Sequence, residues 1–215
     1  IVYPYHMTAL ALNKKGLKNM FKLVSESNTV YFHGSSRIPK ERLEFYREGL
    51  LFGTSCYNSD VFEAALNLSD DKLQKAMEFY DYVEIQPLDD YNHLIDRGKL
   101  QSKDELIKSL CRIVDCAKKL NKIIVATGDV HFLDPKDKIF RDVFISNPTI
   151  GIGHRAHPLC NRHDPKAPNP CQYFRTTDEM MECYPYLPQD EVYEYVVTNT
   201  NKIADMVEEI KPVHD

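Results

Sequence analysis

Hydrophobic residues fall along this chain in two rhythms. Short unbroken runs in "IVYPYHMTALAL", "LLFGTSC", "YVEIQP" and "KIIVATGDVH" stop abruptly at polar residues or proline, the mark of buried strands. The first is read as running out at His6, the second as ending at Cys56, the third as closed by Pro87. Between the runs, apolar residues recur every three or four positions. Leu17, Met20, Phe21, Leu23 and Val24 make one helical stripe. Further helices are predicted at "IPKERLEFYREG", "SDVFEAALNL", "SDDKLQKAMEFYD", "SKDELIKSLCRIVDCAKKLN", "PKDKIFRDVFIS", "TTDEMMECYPYL" and "PQDEVYEYVVTNTNKIADMV". Proline suits a first helical position, and Ser-Asp suits an N-cap with an acidic first turn. Ser102 and Glu105 stand at capping-box spacing.

Strand and helix alternating through short connections is α/β grammar. About four strands are too few for a closed barrel of eight. An open sheet, or the later part of a barrel, fits the count. No internal repeat or low-complexity linker interrupts the chain. Its start, Ile1-Val2-Tyr3-Pro4-Tyr5, reads as a strand already under way, so a piece of a longer protein is expected.

Composition narrows the class only a little. At 215 residues, 43% hydrophobic and 27% charged, the chain can bury a core as one globular domain. No apolar run nears the ~18 residues of a membrane span. The net charge of −5 argues against gripping a nucleic-acid backbone unaided. The six cysteines form no CxxC pair, which fits a reducing cytoplasm.

Candidate chemistry concentrates at the strand ends, where α/β proteins gather functional side chains. His6, Cys56, and Asp129 with His131 are ligand types suited to zinc or a similar borderline metal. Asp129 and His131, two apart on an extended chain, share a face. A capped turn accounts for that pair as well, and Cys56 alone reads as a small buried hydrophobe. Glu84 and Gln86 share a strand face. An exposed sheet face is the simpler account of them; lining of a barrel mouth is the functional one. The loop "HRAHPLCNRHDPKAPNPC" offers His154, His157, Cys160, His163 and Cys171, but at no zinc-finger spacing. Its incidental histidines read as a polar loop, and Arg155, Arg162 and Arg175 as conceivable phosphate contacts. No GxGxxG, P-loop or GxSxG sequence occurs.

Seven segments in order carry a family resemblance: "YHMTALALNKKGLKNMFKLVS", "RIPKERLEFYREGLLFGTSC", "VFEAA", "EFYDYVEIQP", "VATGDVHFLDPKDKIFR", "YFRTTDEM" and "VVTNTNKIADM". From His6 to Met206 the chain resembles the PHP domain (polymerase and histidinol phosphatase) of PolC-type bacterial DNA polymerase III alpha subunits. The resemblance implies a distorted seven-stranded β/α barrel with metals at the C-terminal strand ends. It makes His6, Cys56, Asp129 and His131 the later ligands of that cluster. Zinc or manganese is implied there, and magnesium for the parent polymerase. The family usually has glycine before the cysteine and Gly-Glu soon after it; here stand Ser55 and Ser59-Asp60. HxH, which opens the family's ligand set, is absent from this sequence. The resemblance therefore implies that residues 1–215 are the C-terminal segment of a PHP domain, after an exonuclease insertion, with half the ligands upstream. A helical tail from about residue 176 would lead toward the polymerase core. Partners implied are the rest of the polymerase chain, replisome subunits, and, through the parent, DNA and dNTPs, with no membrane. The segment alone is expected to be inactive. The rivals are a free-standing phosphoesterase of the histidinol-phosphatase kind, and a scaffold whose ligands are vestigial.

Overall fold

The computed structural model describes residues 4–147, 157, 159–160, 164 and 167–212. Its strands are β1 (Thr8–Ala11), β2 (Leu50–Gly53), β3 (Tyr82–Ile85) and β4 (Ile123–Ala126), in the order β1-β2-β3-β4. Helices α1 (Lys14–Asn28) and α2 (Lys40–Phe45) separate β1 from β2, and α3 (Asp60–Asn67) and α4 (Asp70–Glu78) separate β2 from β3. Then follow α5 (Leu88–Asp96), α6 (Lys103–Lys119), β4, and a 3-10 turn (Pro135–Asp137) leading into α7 (Lys138–Ser146). The last elements are α8 (Thr177–Glu182), α9 (Gln189–Tyr193), a π-helical turn (Glu194–Thr198) and α10 (Asn199–Asp205).

The sheet is mixed. β2 runs parallel to β3, whereas β1 pairs antiparallel with β2, Thr8 facing Gly53 and Ala11 facing Leu50. This corrects the expectation that the first strand ends at His6: β1 begins two residues after it. The reason lies where β1 leaves the sheet. The Leu12 amide donates to the Gly49 carbonyl at 2.9 Å, which ties the exit of β1 to the entry of β2. Gly16 sits so close that a Cβ there would lie 1.8 Å from the Gly49 oxygen, and Gly49 itself has φ +76°. Only two glycines allow this approach, and it fixes the antiparallel sense.

Of the two Ser-Asp helix starts, Ser59 caps α3 with its side chain, whereas Ser69 makes no side-chain cap hydrogen bond on α4. The Asn13 side chain accepts from the Gly16 amide at 3.0 Å, and Ser59 Oγ from the Phe62 amide at 3.1 Å. Ser102 Oγ accepts from the Glu105 amide at 3.2 Å, but the Glu105 carboxylate turns back one residue further, to the Gln101 amide. Thr176 and Glu179 form a full capping box on α8. The helix α5 was not anticipated: it starts directly behind Pro87, which had read only as the end of a strand.

The chain divides into two compact units, with the divisions falling inside α6, β3 and β4 and after Val197. The first unit comprises residues 1–84, 113–125 and 198–215. Its core includes Leu23, Phe52, Val61, Leu73 and Met77, and a second cluster of Tyr82, Val125 and Ile203. The second comprises residues 85–112 and 126–197, built around Tyr91, Leu106, Leu110, Ile145, Tyr184 and Val192. No helix among the described residues is long and apolar enough to cross a membrane.

Candidate functional site

In the first unit the antiparallel register does what a C-terminal strand end was expected to do. Thr8 lies opposite Gly53, so the residues before β1 meet those after β2. The His6 amide donates to the Asn58 carbonyl at 3.1 Å, and His6 Nδ1 stands 3.6 Å from Cys56 Sγ. The thiol is 9% exposed, while the imidazole is open to solvent. His6 also lines a cleft of about 680 Å³ with Tyr5, Met7, Met20, Lys40 and Tyr80.

The backbone that delivers Cys56 is held in an unusual shape. Ser55 has φ +60°, the left-handed region that favours glycine. That conformation lets the Ser55 amide donate to Glu84 Oε1 at 3.2 Å, while Thr54 Oγ1 accepts from the Glu84 amide at 2.9 Å. The family's glycine before the cysteine thus has a physical counterpart here, carried by a serine. Ser59 caps α3 three residues after the cysteine.

In the second unit Asp129 and His131 follow β4. Asp129 has φ +42°, so the chain turns there instead of continuing extended. The turn brings the Asp129 carbonyl to 2.7 Å from His131 Nδ1. A carbonyl only accepts, so this contact calls for the ring proton on Nδ1. Asp129 Oδ1 stands 3.9 Å from the same ring nitrogen. The Gln172 side-chain amide donates to Asp129 Oδ2, and its backbone carbonyl accepts from the His131 amide at 2.8 Å. Gln172 escaped sequence reasoning altogether.

Beneath that loop lies a buried ion pair. Arg175 Nη2 contacts Asp90 Oδ1 at 3.3 Å and donates to the Cys171 carbonyl at 2.9 Å, with Asp90 4% and Arg175 6% exposed. Burial pushes the Asp90 carboxyl up to about 8, against the pull of Arg175. Burial likewise drives the neighbouring His93 down to about 4. This placement corrects two readings. Arg175 is buried on a carboxylate, not offered to a phosphate. Gln86 is 3% exposed and accepts from the Tyr91 hydroxyl at 2.8 Å, so no open sheet face explains it.

Of the competing loop cluster, His154, Arg155, Arg162 and His163 lie outside the described residues. His157 Nδ1 accepts from the Leu159 amide at 3.1 Å and its ring packs edge-on against Phe144. Among the described residues no group of three or more His, Cys, Asp or Glu side chains is arranged to hold a metal ion. The observed constellations are two pairs.

Comparison with known proteins first defines a class: residues 2–88 match the PHP domain family. Beyond that domain the likeness becomes particular. Over 213 residues, 99% of this chain, it is 45% identical to the DNA polymerase III PolC-type of Bacillus subtilis (strain 168). It is 39% identical to the protein of that name from Clostridium perfringens (strain 13 / Type A), covering 98% of the chain. A third, from Streptococcus pyogenes serotype M4, is 38% identical over 97% of it. The chain thus matches a PHP segment of PolC-type DNA polymerase III, and it spans 14% of the length of these relatives. Similarity to polymerases over nearly the whole chain does not favour a free-standing phosphatase.

Proposed function

We propose that this chain serves as the PHP portion of a larger replicative DNA polymerase of the PolC kind. There it braces the polymerase core and contributes metal ligands. The mixed sheet is then the later part of a distorted seven-stranded barrel, and the helices from α8 onward lead toward the core. The larger protein would carry DNA-directed synthesis with magnesium, and a 3′–5′ exonuclease. Its DNA, nucleotides and replisome partners would be met through that protein and not through this chain alone.

His6 and Cys56 form one proposed ligand pair, Asp129 and His131 the other. The observation that carries this reading is the 3.6 Å between Cys56 Sγ and His6 Nδ1. Zinc–sulfur and zinc–nitrogen bonds of about 2.3 and 2.0–2.1 Å at a tetrahedral angle place the two donor atoms about 3.6 Å apart. The second pair fits by donor chemistry: His131 turns Nδ1 to a carbonyl, the usual arrangement of a ligating histidine. Zinc or manganese bound there would activate a water and steady charge on phosphate oxygens. The chain's own part is to hold the Cys56 sulfur, the Asp129 carboxyl and the His6 and His131 rings in place.

Metal analysis of the purified chain tests the proposal. Weak zinc or manganese uptake, reduced by Asp129→Asn and by Cys56→Ser, is expected. Tight stoichiometric zinc untouched by both substitutions overturns it.

A further inference from the structure

We infer that Gln172 is the positioning residue of the Asp129–His131 pair, holding both proposed ligands from one buried side chain and its own backbone. This deepens the metal-ligand reading above and rests on it. Gln172 is 3% exposed and lies in a proline-flanked loop, 43 residues from Asp129. Its amide nitrogen donates to Asp129 Oδ2; the reversed amide would face oxygen to oxygen, so the orientation is fixed. The bond to Oδ2 restrains the carboxylate, with Oδ1 turned to within 3.9 Å of His131 Nδ1. The Gln172 carbonyl meanwhile takes the His131 amide at 2.8 Å, and Phe132 pairs with Tyr173 as a short parallel bridge. One residue therefore sets the side chain of the first ligand and the backbone of the second.

The anchor is itself moored. Arg175 binds the Cys171 carbonyl at 2.9 Å and buried Asp90 at 3.3 Å, and its guanidinium lies 4.3 Å from the centre of the Tyr173 ring. The loop cannot shift without uncovering that ion pair. Gln172 Oε1 has no hydrogen-bond partner among the described residues. Replacing the amide by an apolar side chain of like length thus removes one used donor and one idle acceptor, so folding should be little affected.

The test is cobalt(II) and zinc titration, each metal alone, of the whole chain and of Gln172→Met, with the cobalt d–d spectrum and the metal-free unfolding midpoint recorded. Outer-shell partners of ligands typically govern 10–100-fold in affinity. The expected result is a loss of that size with an altered spectrum and an unchanged metal-free midpoint. Gln172→Glu, which keeps size and polarity but loses the donor at neutral pH, should lose affinity as well. It carries the test if Gln172→Met does not fold. Parental affinity and spectrum in the substituted chain, while Asp129→Asn loses metal, would overturn the role of Gln172 and leave the ligand reading standing. Metal binding indifferent to Asp129→Asn, His131→Ala and Gln172→Met would overturn both.

Discussion

The two proposed ligand pairs are assembled by opposite means. His6 and Cys56 lie 50 residues apart and meet because two strands pair in one register. Asp129 and His131 are two residues apart and meet through a single left-handed backbone turn. Yet the distant pair is steadied by the neighbouring strand, through Glu84, while the adjacent pair leans on a loop far along the chain. Nearness in sequence brings two side chains together cheaply, but it does not hold them still. A turn at the end of a strand has few contacts of its own, and Gln172 supplies them from elsewhere.

This contrast can be broken from either side. The largest effect should come from Arg175→Leu, which leaves Asp90 buried without its partner and frees the loop that carries Gln172. Above the raised Asp90 value of about 8 the substitution leaves an uncompensated buried charge, which costs about 3–5 kcal/mol; below it the carboxyl is neutral and the loss is smaller. Chemical denaturation above that pH should show a loss of that order, with the His6–Cys56 pair untouched by the substitution.

Next is Gly16→Ala, aimed at the other pair. Its Cβ would strike the Gly49 backbone at 1.8 Å, where no flexible side chain can yield. Overpacking of this kind costs about 1–3 kcal/mol, and a backbone neighbour puts it at the upper end. Cys56 should then become reactive to thiol reagents in the native state; continued protection would show that the register does not depend on this contact.

The pH response separates the units again. His93 is 1% exposed and its folded value of about 4 lies below the ordinary 6.5. The folded state therefore stays neutral while the unfolded chain takes up a proton as pH falls through 6.5. Stability from this residue is fully present above 6.5 and is lost on acidification down to about 4. The loss is on the order of 3 kcal/mol over that window. Asp90, protonated in the folded state up to about 8, has the opposite slope over this window, so the midpoint of His93→Gln should rise relative to the parent as pH falls from 6.5 to 4; a constant difference between the two curves would show that His93 does not set this response.

The smallest effect has the opposite sign. Ser55 holds φ +60°, which costs an L-residue about 1–2 kcal/mol, while glycine would forfeit about 0.5–1 kcal/mol in chain entropy. Ser55→Gly should stabilise the chain by roughly 0.5 kcal/mol. A loss instead would mean that the serine hydroxyl contributes to this turn.

Legibility in the sequence follows the same division. Helices announced themselves through stripes and, at Ser59 and Ser102, through caps, while the caps of Asn13 and Thr176 went unread. The later strands were legible too, because their apolar runs end sharply, but the first was not: β1 begins two residues beyond the His6 at which it was read to end. Strand direction was not: a hydrophobic run reads alike whichever way its neighbour points, and the deciding contact joins two glycines 33 positions apart (49 − 16). The helix α5 was hidden by Pro87, which both ends a strand and opens a helix. Gln172 was hidden because a lone glutamine between Cys171 and Tyr173 carries no periodicity. Its partner becomes visible only once the loop has folded back on the turn that holds Asp129. The composition showed ligand types; only the folded chain showed which atoms face one another.

The antiparallel pairing of β1 with β2 also has a kinetic consequence. Bringing His6 to Cys56 closes a loop of some fifty residues, whose entropy must be met before any contact at its neck repays it. Shielding of the Cys56 sulfur should therefore lag behind the helices, which form locally and fast. Followed by pulsed alkylation during refolding, that one sulfur becomes a clock for the moment the first unit acquires its topology.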